Sequence, residues 1–116
     1  MSFNIVFVEP ADSTYSILES EAKKAFDNRN KNKIEKSSKQ EGLFKQVHKT
    51  IGFLAENPRH PSLNTHEYDS ISNPYHKDQK VFEACAQNKT PGAYRVFWCY
   101  GPKKTDITII AITPHP

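Results

Sequence analysis

The last third of this chain constrains its fold most. Residues 94–100 and 107–113 read as two strands, rich in β-branched and aromatic side chains and joined by a turn that opens with Gly101-Pro102. Each is associated with one polar residue that a purely structural strand does not need. Arg95 sits inside Gly92-Ala93-Tyr94-Arg95-Val96-Phe97-Trp98, and His115 stands just past Ile107-Thr108-Ile109-Ile110-Ala111-Ile112-Thr113. An arginine on a strand and a histidine at the end of its neighbour can meet over one sheet face. Guanidinium holds anionic oxygens in a bidentate fork and imidazole transfers protons near neutral pH, so the pair suits work on a phosphate.

Upstream, residues 3–8 read as a strand closed by Pro10. Asp12 and Ser13 offer helix caps, as does Ser16 with Glu19, and Tyr15, Leu18, Ala22, Ala25 and Phe26 recur at helical spacing to about Arg29. A second helix follows the capping-box spacing of Ser38 and Glu41. Its stripe is Leu43, Phe44, Val47, Ile51, Leu54 and Ala55, and Asn57-Pro58 ends it. Two consecutive helices with one stripe each predict a hairpin lying on a sheet, packed through Leu18, Ala22 and Phe26 with Val47, Ile51 and Leu54. Beyond it come a loop at 59–64, a short strand at 65–68, a flexible loop at 69–79, a strand at 81–87 and a turn at 88–92. Strands separated by short turns predict an antiparallel meander.

Alternation divides the 94–100 strand. Tyr94, Val96, Trp98 and Tyr100 share one face, and Arg95, Phe97 and Cys99 the other. With the helices over the Val96 and Trp98 face, Arg95 points into an open face that a polyanion can reach. The ordinary alternative is that Arg95 pairs with Glu83 or another carboxylate as sheet surface. For His115 the alternative is an unstructured terminal histidine, against which Pro114 and Pro116 restrict the backbone on both sides.

At 116 residues, 36% hydrophobic and 25% charged, the chain is expected to form one globular domain, 1–116. A net charge of +3 permits a polyanionic partner without demanding one. No apolar run approaches transmembrane length and no signal peptide is recognisable, so a cytoplasmic protein without a membrane partner is expected. Asn88-Lys89-Thr90 then matches a glycosylation sequon by coincidence. If Gln87 pairs with Tyr94 across the turn, Cys85 faces Val96 and Cys99 faces Phe82. A disulfide needs another register, and both cysteines read as small buried hydrophobes. His60, His66 and His76 lie at no metal-ligand spacing, so neither metal nor cofactor is expected. The basic residues from Arg29 to Lys39, interrupted by Asp27 and Glu35, read as a solvated charged turn. There is no Gly-rich phosphate loop and no recognisable nucleophile motif.

From about Leu43 to His115 the chain resembles the RelE/ParE superfamily, the small toxins of bacterial toxin–antitoxin pairs. Three segments carry the resemblance, in the family order. They are the helix end and loop from Leu54-Ala55-Glu56-Asn57-Pro58 to His66, the strand Gly92-Ala93-Tyr94-Arg95, and the final apolar strand ending at His115. The resemblance implies an α+β fold, with an N-terminal strand and a helical hairpin packed on one face of a curved antiparallel sheet. It implies a metal-free endoribonuclease acting on messenger RNA, commonly on the ribosome, and silenced by a cognate antitoxin. The substrate 2′-hydroxyl attacks the adjacent phosphate. By the same resemblance Arg95 stabilises the phosphorane charge, His115 is general acid or base, and His66 is a further catalytic residue. Lys77, Lys80 and Tyr94 are its RNA-binding candidates.

Two other functions compete with this one. One is a ParE-like toxin that binds a topoisomerase without RNA chemistry. The other is a non-catalytic relative acting as a binding module. His115 favours the ribonuclease, and the stop at Pro116 is read as favouring the non-catalytic relative.

Overall fold

The computed structural model describes residues 2–87 and 92–114. Asn4–Phe7 forms β1, Ala11–Lys31 α1, Lys39–Glu56 α2, His66–Tyr68 β2, Val81–Cys85 β3, Tyr94–Tyr100 β4 and Asp106–Pro114 β5, with a 3-10 turn at Pro61–Leu63. The architecture is α+β. The five strands lie in the order β1-β5-β4-β3-β2, with the helical hairpin on one face. From β2 to β5 every neighbour is antiparallel, as a meander with short connections requires. β1 adds to β5 in parallel, because the hairpin and three strands intervene before the chain returns beside it.

Local chemistry sets the helix ends. The Ser38 hydroxyl accepts from the Glu41 amide at 3.2 Å, and the Glu41 carboxylate accepts from the Ser38 amide at 2.7 Å, completing the capping box that opens α2. Pro58 disfavours helical geometry at Asn57, which turns extended at φ −159°. α1 differs from the sequence expectation. None of Asp12, Ser13 or Ser16 caps it. Pro10 occupies the cap position without a polar side chain, and the Glu9 carboxylate accepts from the amide and hydroxyl of Ser13.

The main core lies between hairpin and sheet. Val47, Ile51 and Leu54 of α2 are buried together with Val96, Trp98, Ile107, Ile109 and Ile112, and Leu18 packs against them. Full burial of each such side chain stabilises by roughly 1.5–3 kcal/mol. Phe26 departs from the expected core and is 44% exposed. It lies near the hairpin tip, where Ile34 is exposed as well, and the Arg29 guanidinium sits 5.0 Å from its ring centroid. The structure measures 51 × 27 × 25 Å, and only the part of the hairpin over the strands finds a core.

A bulge tunes the last strand. Phe97 pairs with Ala111 but Trp98 pairs with Ile109, leaving Ile110 as an extra residue on β5. Ile107, Ile109 and Ile112 therefore all reach the helix-side core despite their uneven spacing, and Ile110 turns to the far face. On that far face residues 69–80 are more than the loop expected. Ile71 and Tyr75 pack on Val81, Cys99 and Ile110. Asn73, buried, accepts from the amides of Tyr75 and His76 at 2.9 and 3.1 Å, and the Tyr75 hydroxyl meets the Thr108 hydroxyl at 2.9 Å.

The β3–β4 register differs by one residue from the sequence expectation. Cys85 pairs with Arg95 rather than Val96. The Gln87 side chain accepts the Tyr94 amide at 3.0 Å, and the Ala86 amide donates to the Tyr94 carbonyl at 3.1 Å, so Ala86 takes the place opposite Tyr94. Both cysteines are free thiols. No described helix is long and apolar enough to cross a membrane.

Candidate functional site

Arg95 lies near the start of β4, on the face away from the helices, since its neighbours Tyr94 and Val96 pack into the helix-side core. Its cross-strand partners are Cys85 and Thr113. The 69–80 segment covers the other end of this face, around Cys99 and Ile110, and Tyr68 covers Phe97 with ring centroids 4.7 Å apart. Among the described residues the face is therefore closed at the far end of β4 and open at the Arg95 end. There Cys85, Arg95 and Thr113 are only partly buried, and Asn64 and His66 are exposed.

Arg95 is half-buried. Its Nη1 donates to the carbonyls of Tyr94 and Gln87 at 3.4 and 3.5 Å, at or beyond the long end of useful geometry. The ion pairs among the described residues are Arg29–Glu41 and Lys80–Glu67, and neither involves Arg95. Glu83, the alternative partner, is opposite Phe97 and buried. A guanidinium anchored by its stem, with most of its donors uncommitted among the described residues, can bind an anionic oxygen pair.

The other sequence candidates divide. His66 in β2 pairs with Glu83 and shares the Arg95 face. It stands two strand spacings away and one two-residue step along, about 12 Å by Cα. β5 runs past Arg95 to Pro114, opposite Tyr94, and His115 lies outside the described residues. Tyr94 turns to the helix side and packs against the core. Lys77 and Lys80 belong to the 69–80 segment at the β2 edge, where Lys80 pairs with Glu67. Neither lysine is brought to the Arg95 end. Among the described residues, no three His, Cys, Asp or Glu side chains gather into a metal-ligating group.

Comparison with solved structures places this arrangement. The structure matches a YoeB dimer from Staphylococcus aureus with a TM-score of 0.57 at 11% identity, over 100% of both chains. It also matches the archaeal RelE–RelB complex from Pyrococcus horikoshii OT3 with a TM-score of 0.56 at 12% identity, over 98% of this chain and 96% of that one. The chain has the RelE-like fold. No protein-family model and no curated protein matches the sequence.

Within this RelE-like fold, Glu83, which the sequence offered as a partner for Arg95 on the sheet surface, is instead buried on the Arg95 face. One feature escaped the sequence altogether, a pocket on the opposite side of the sheet, against Trp98 and Tyr100. Its sequence signal was the run of aromatics at Phe82, Trp98 and Tyr100, which the alternation assigned to the helix side.

Proposed function

We propose that this protein is the toxin of a toxin–antitoxin pair and acts as an endoribonuclease on messenger RNA. The observation that carries the proposal is Arg95, a guanidinium without an ion-pair partner among the described residues, at the open end of a sheet face in a RelE-like fold. The RNA 2′-oxygen attacks the adjacent phosphorus and loses its proton to a base. The 5′-oxygen departs with a proton from an acid, leaving a 2′,3′-cyclic phosphate. Arg95 stabilises the charge that grows on the phosphoryl oxygens. His115, next in sequence after Pro114, supplies one of the two proton transfers. His66, on the same face as Arg95, is the further catalytic candidate in this reading. Tyr94, Lys77 and Lys80 are less central to binding than the sequence suggested. The partner is an antitoxin, a reading supported by the RelE–RelB complex among the structural matches.

The test is induced expression in bacteria, scoring growth and messenger-RNA integrity, followed by cleavage assays with and without ribosomes. Wild-type protein should arrest growth and yield 2′,3′-cyclic ends, with chelators indifferent. Arg95→Ala should lower turnover by about 10²–10³-fold, more than it lowers RNA affinity. His115→Ala should flatten the pH dependence between about pH 5 and 8. Intact RNA in both assays would reject the ribonuclease. Inhibition of topoisomerase supercoiling in its place would identify a ParE-like toxin, and a protein inert and harmless throughout would be a binding module.

A further inference from the structure

On the helix side of the sheet, where α2 ends, a cavity of about 400 Å3 opens between the 58–65 segment and the strands β3 and β4. Its wall includes Thr65 and Trp98. The indole Nε1–H of Trp98 and the Thr65 hydroxyl are both buried, and neither has a hydrogen-bond partner among the described residues. Trp98 is 1% exposed. Buried donors without acceptors are rare in native proteins, and two at one pocket ask for a ligand atom. His60 adds a third donor. Its Nδ1 accepts the Ser62 amide at 3.0 Å, so the neutral ring carries its proton on Nε2.

Around these donors stand aromatic faces and a cation. Phe82 stacks on Trp98 with centroids 4.8 Å apart, and Tyr100 meets Trp98 edge-on at 5.0 Å. Tyr100 is 38% exposed. Arg59 is exposed at the rim, with no ion pair among the described residues. Beyond Tyr100, the turn carries Lys103 and Lys104 along a neighbouring cavity that Tyr100 also lines. An apolar side chain from a partner would fill the space but leave the Trp98 and Thr65 groups unpaired. A nucleotide would answer the whole set: a ring carbonyl as acceptor for the unpaired Trp98 and Thr65 groups, a base to stack on the exposed Tyr100 ring, and a phosphate for Arg59. The volume is within the range of pockets that hold small ligands.

We propose that this pocket binds a nucleotide, either free or as one residue of an RNA strand, at a site separate from Arg95. The two sites lie on opposite faces of β4. A chain that proves inert toward RNA cleavage keeps this one, so the two readings fail independently.

Trp98 is the only tryptophan, so its indole N–H gives a single amide-type resonance in a 15N-labelled sample. The intact protein is titrated with UMP and with a 2′-O-methyl tetranucleotide, which lacks the hydroxyl needed for cleavage. The indole resonance should move and saturate. Arg59→Ala should raise the half-saturating concentration by about tenfold or more, and Lys23→Ala, an exposed position on α1, should leave it unchanged. Tighter binding of the tetranucleotide by a similar factor identifies a strand as the ligand. Equal binding identifies the free nucleotide. An indole resonance unmoved by either ligand would overturn the proposal. So would one that responds equally to benzoate, or one whose response is lost in Arg95→Ala but kept in Arg59→Ala.

Discussion

The two thiols show how much a single residue's surroundings decide. Cys99 is fully buried among Val81 and Ile110, and burial pushes its thiol up to about 11. The thiolate is the reactive form, so Cys99 should be inert to alkylation at neutral pH. Cys85, opposite Arg95, is only partly buried. Treating native protein with iodoacetamide at pH 8 and weighing it should show at most one adduct, at Cys85, and two after denaturation. An adduct at Cys99 in the native protein would contradict the packing of the 69–80 segment over the far face. The same covering explains why Arg95 stands apart: it is the charged side chain that β4 places beyond the reach of that segment.

At the scale of elements, one cluster ties α1 to the start of α2. Arg29 of α1 donates through Nε to both Glu41 carboxylate oxygens, at 2.8 and 2.9 Å. The same carboxylate accepts the Ser38 amide of the capping box. That backbone hydrogen bond is the largest cause holding the Glu41 carboxyl below its ordinary value of 4.5, and Arg29 adds to it. A group whose pKa is lower in the folded state stabilises the fold above its unfolded value. The contribution is lost as the pH falls through the folded value. Acid titration below about pH 4.5 should therefore loosen the hairpin. Glu41→Gln should be less stable at neutral pH and should lose less on acidification, as followed by thermal melts across pH 3 to 7. Parallel pH profiles for the variant and the parent would remove Glu41 from the linkage.

For the whole molecule, the helix-side face of β3, β4 and β5 is covered by the hairpin, and the far face by residues 69–80 at the end away from Arg95. Neither cluster keeps its burial if the central strands separate, so the described structure should unfold as one unit. Trp98 reports on the sheet core, and far-UV circular dichroism weighs the helices heavily. Their urea transitions should coincide. Leu54→Ala empties a position buried in the main cluster and should cost about 2–5 kcal/mol. Transitions that separate by probe, or a cost within about 0.5 kcal/mol, would reject this picture of a shared core.

Local rules were enough for much of this. The capping box at Ser38, the stop at Asn57-Pro58 and the stripe Val47, Ile51 and Leu54 are short-range, and the sequence alone determined α2 through them. Strict alternation in 94–100 likewise assigned Arg95 to the face away from the helices. Tertiary structure decided what depends on distant partners. The β3–β4 register turned on a Gln87 side chain taking the Tyr94 amide, and the bulge at Ile110 shifted the phase of β5. Phe26 became exposed because the hairpin tip has no sheet beneath it. Residues 69–79 read as a flexible loop because their apolar anchors are few, Ile71 and Tyr75, and their cover exists only once Val81, Cys99 and Ile110 are assembled. The pocket at Trp98 follows from the same cause. Periodicity places an indole in a core but cannot say whether its N–H will find an acceptor there, because that depends on residues brought together from 58–65, β3 and β4.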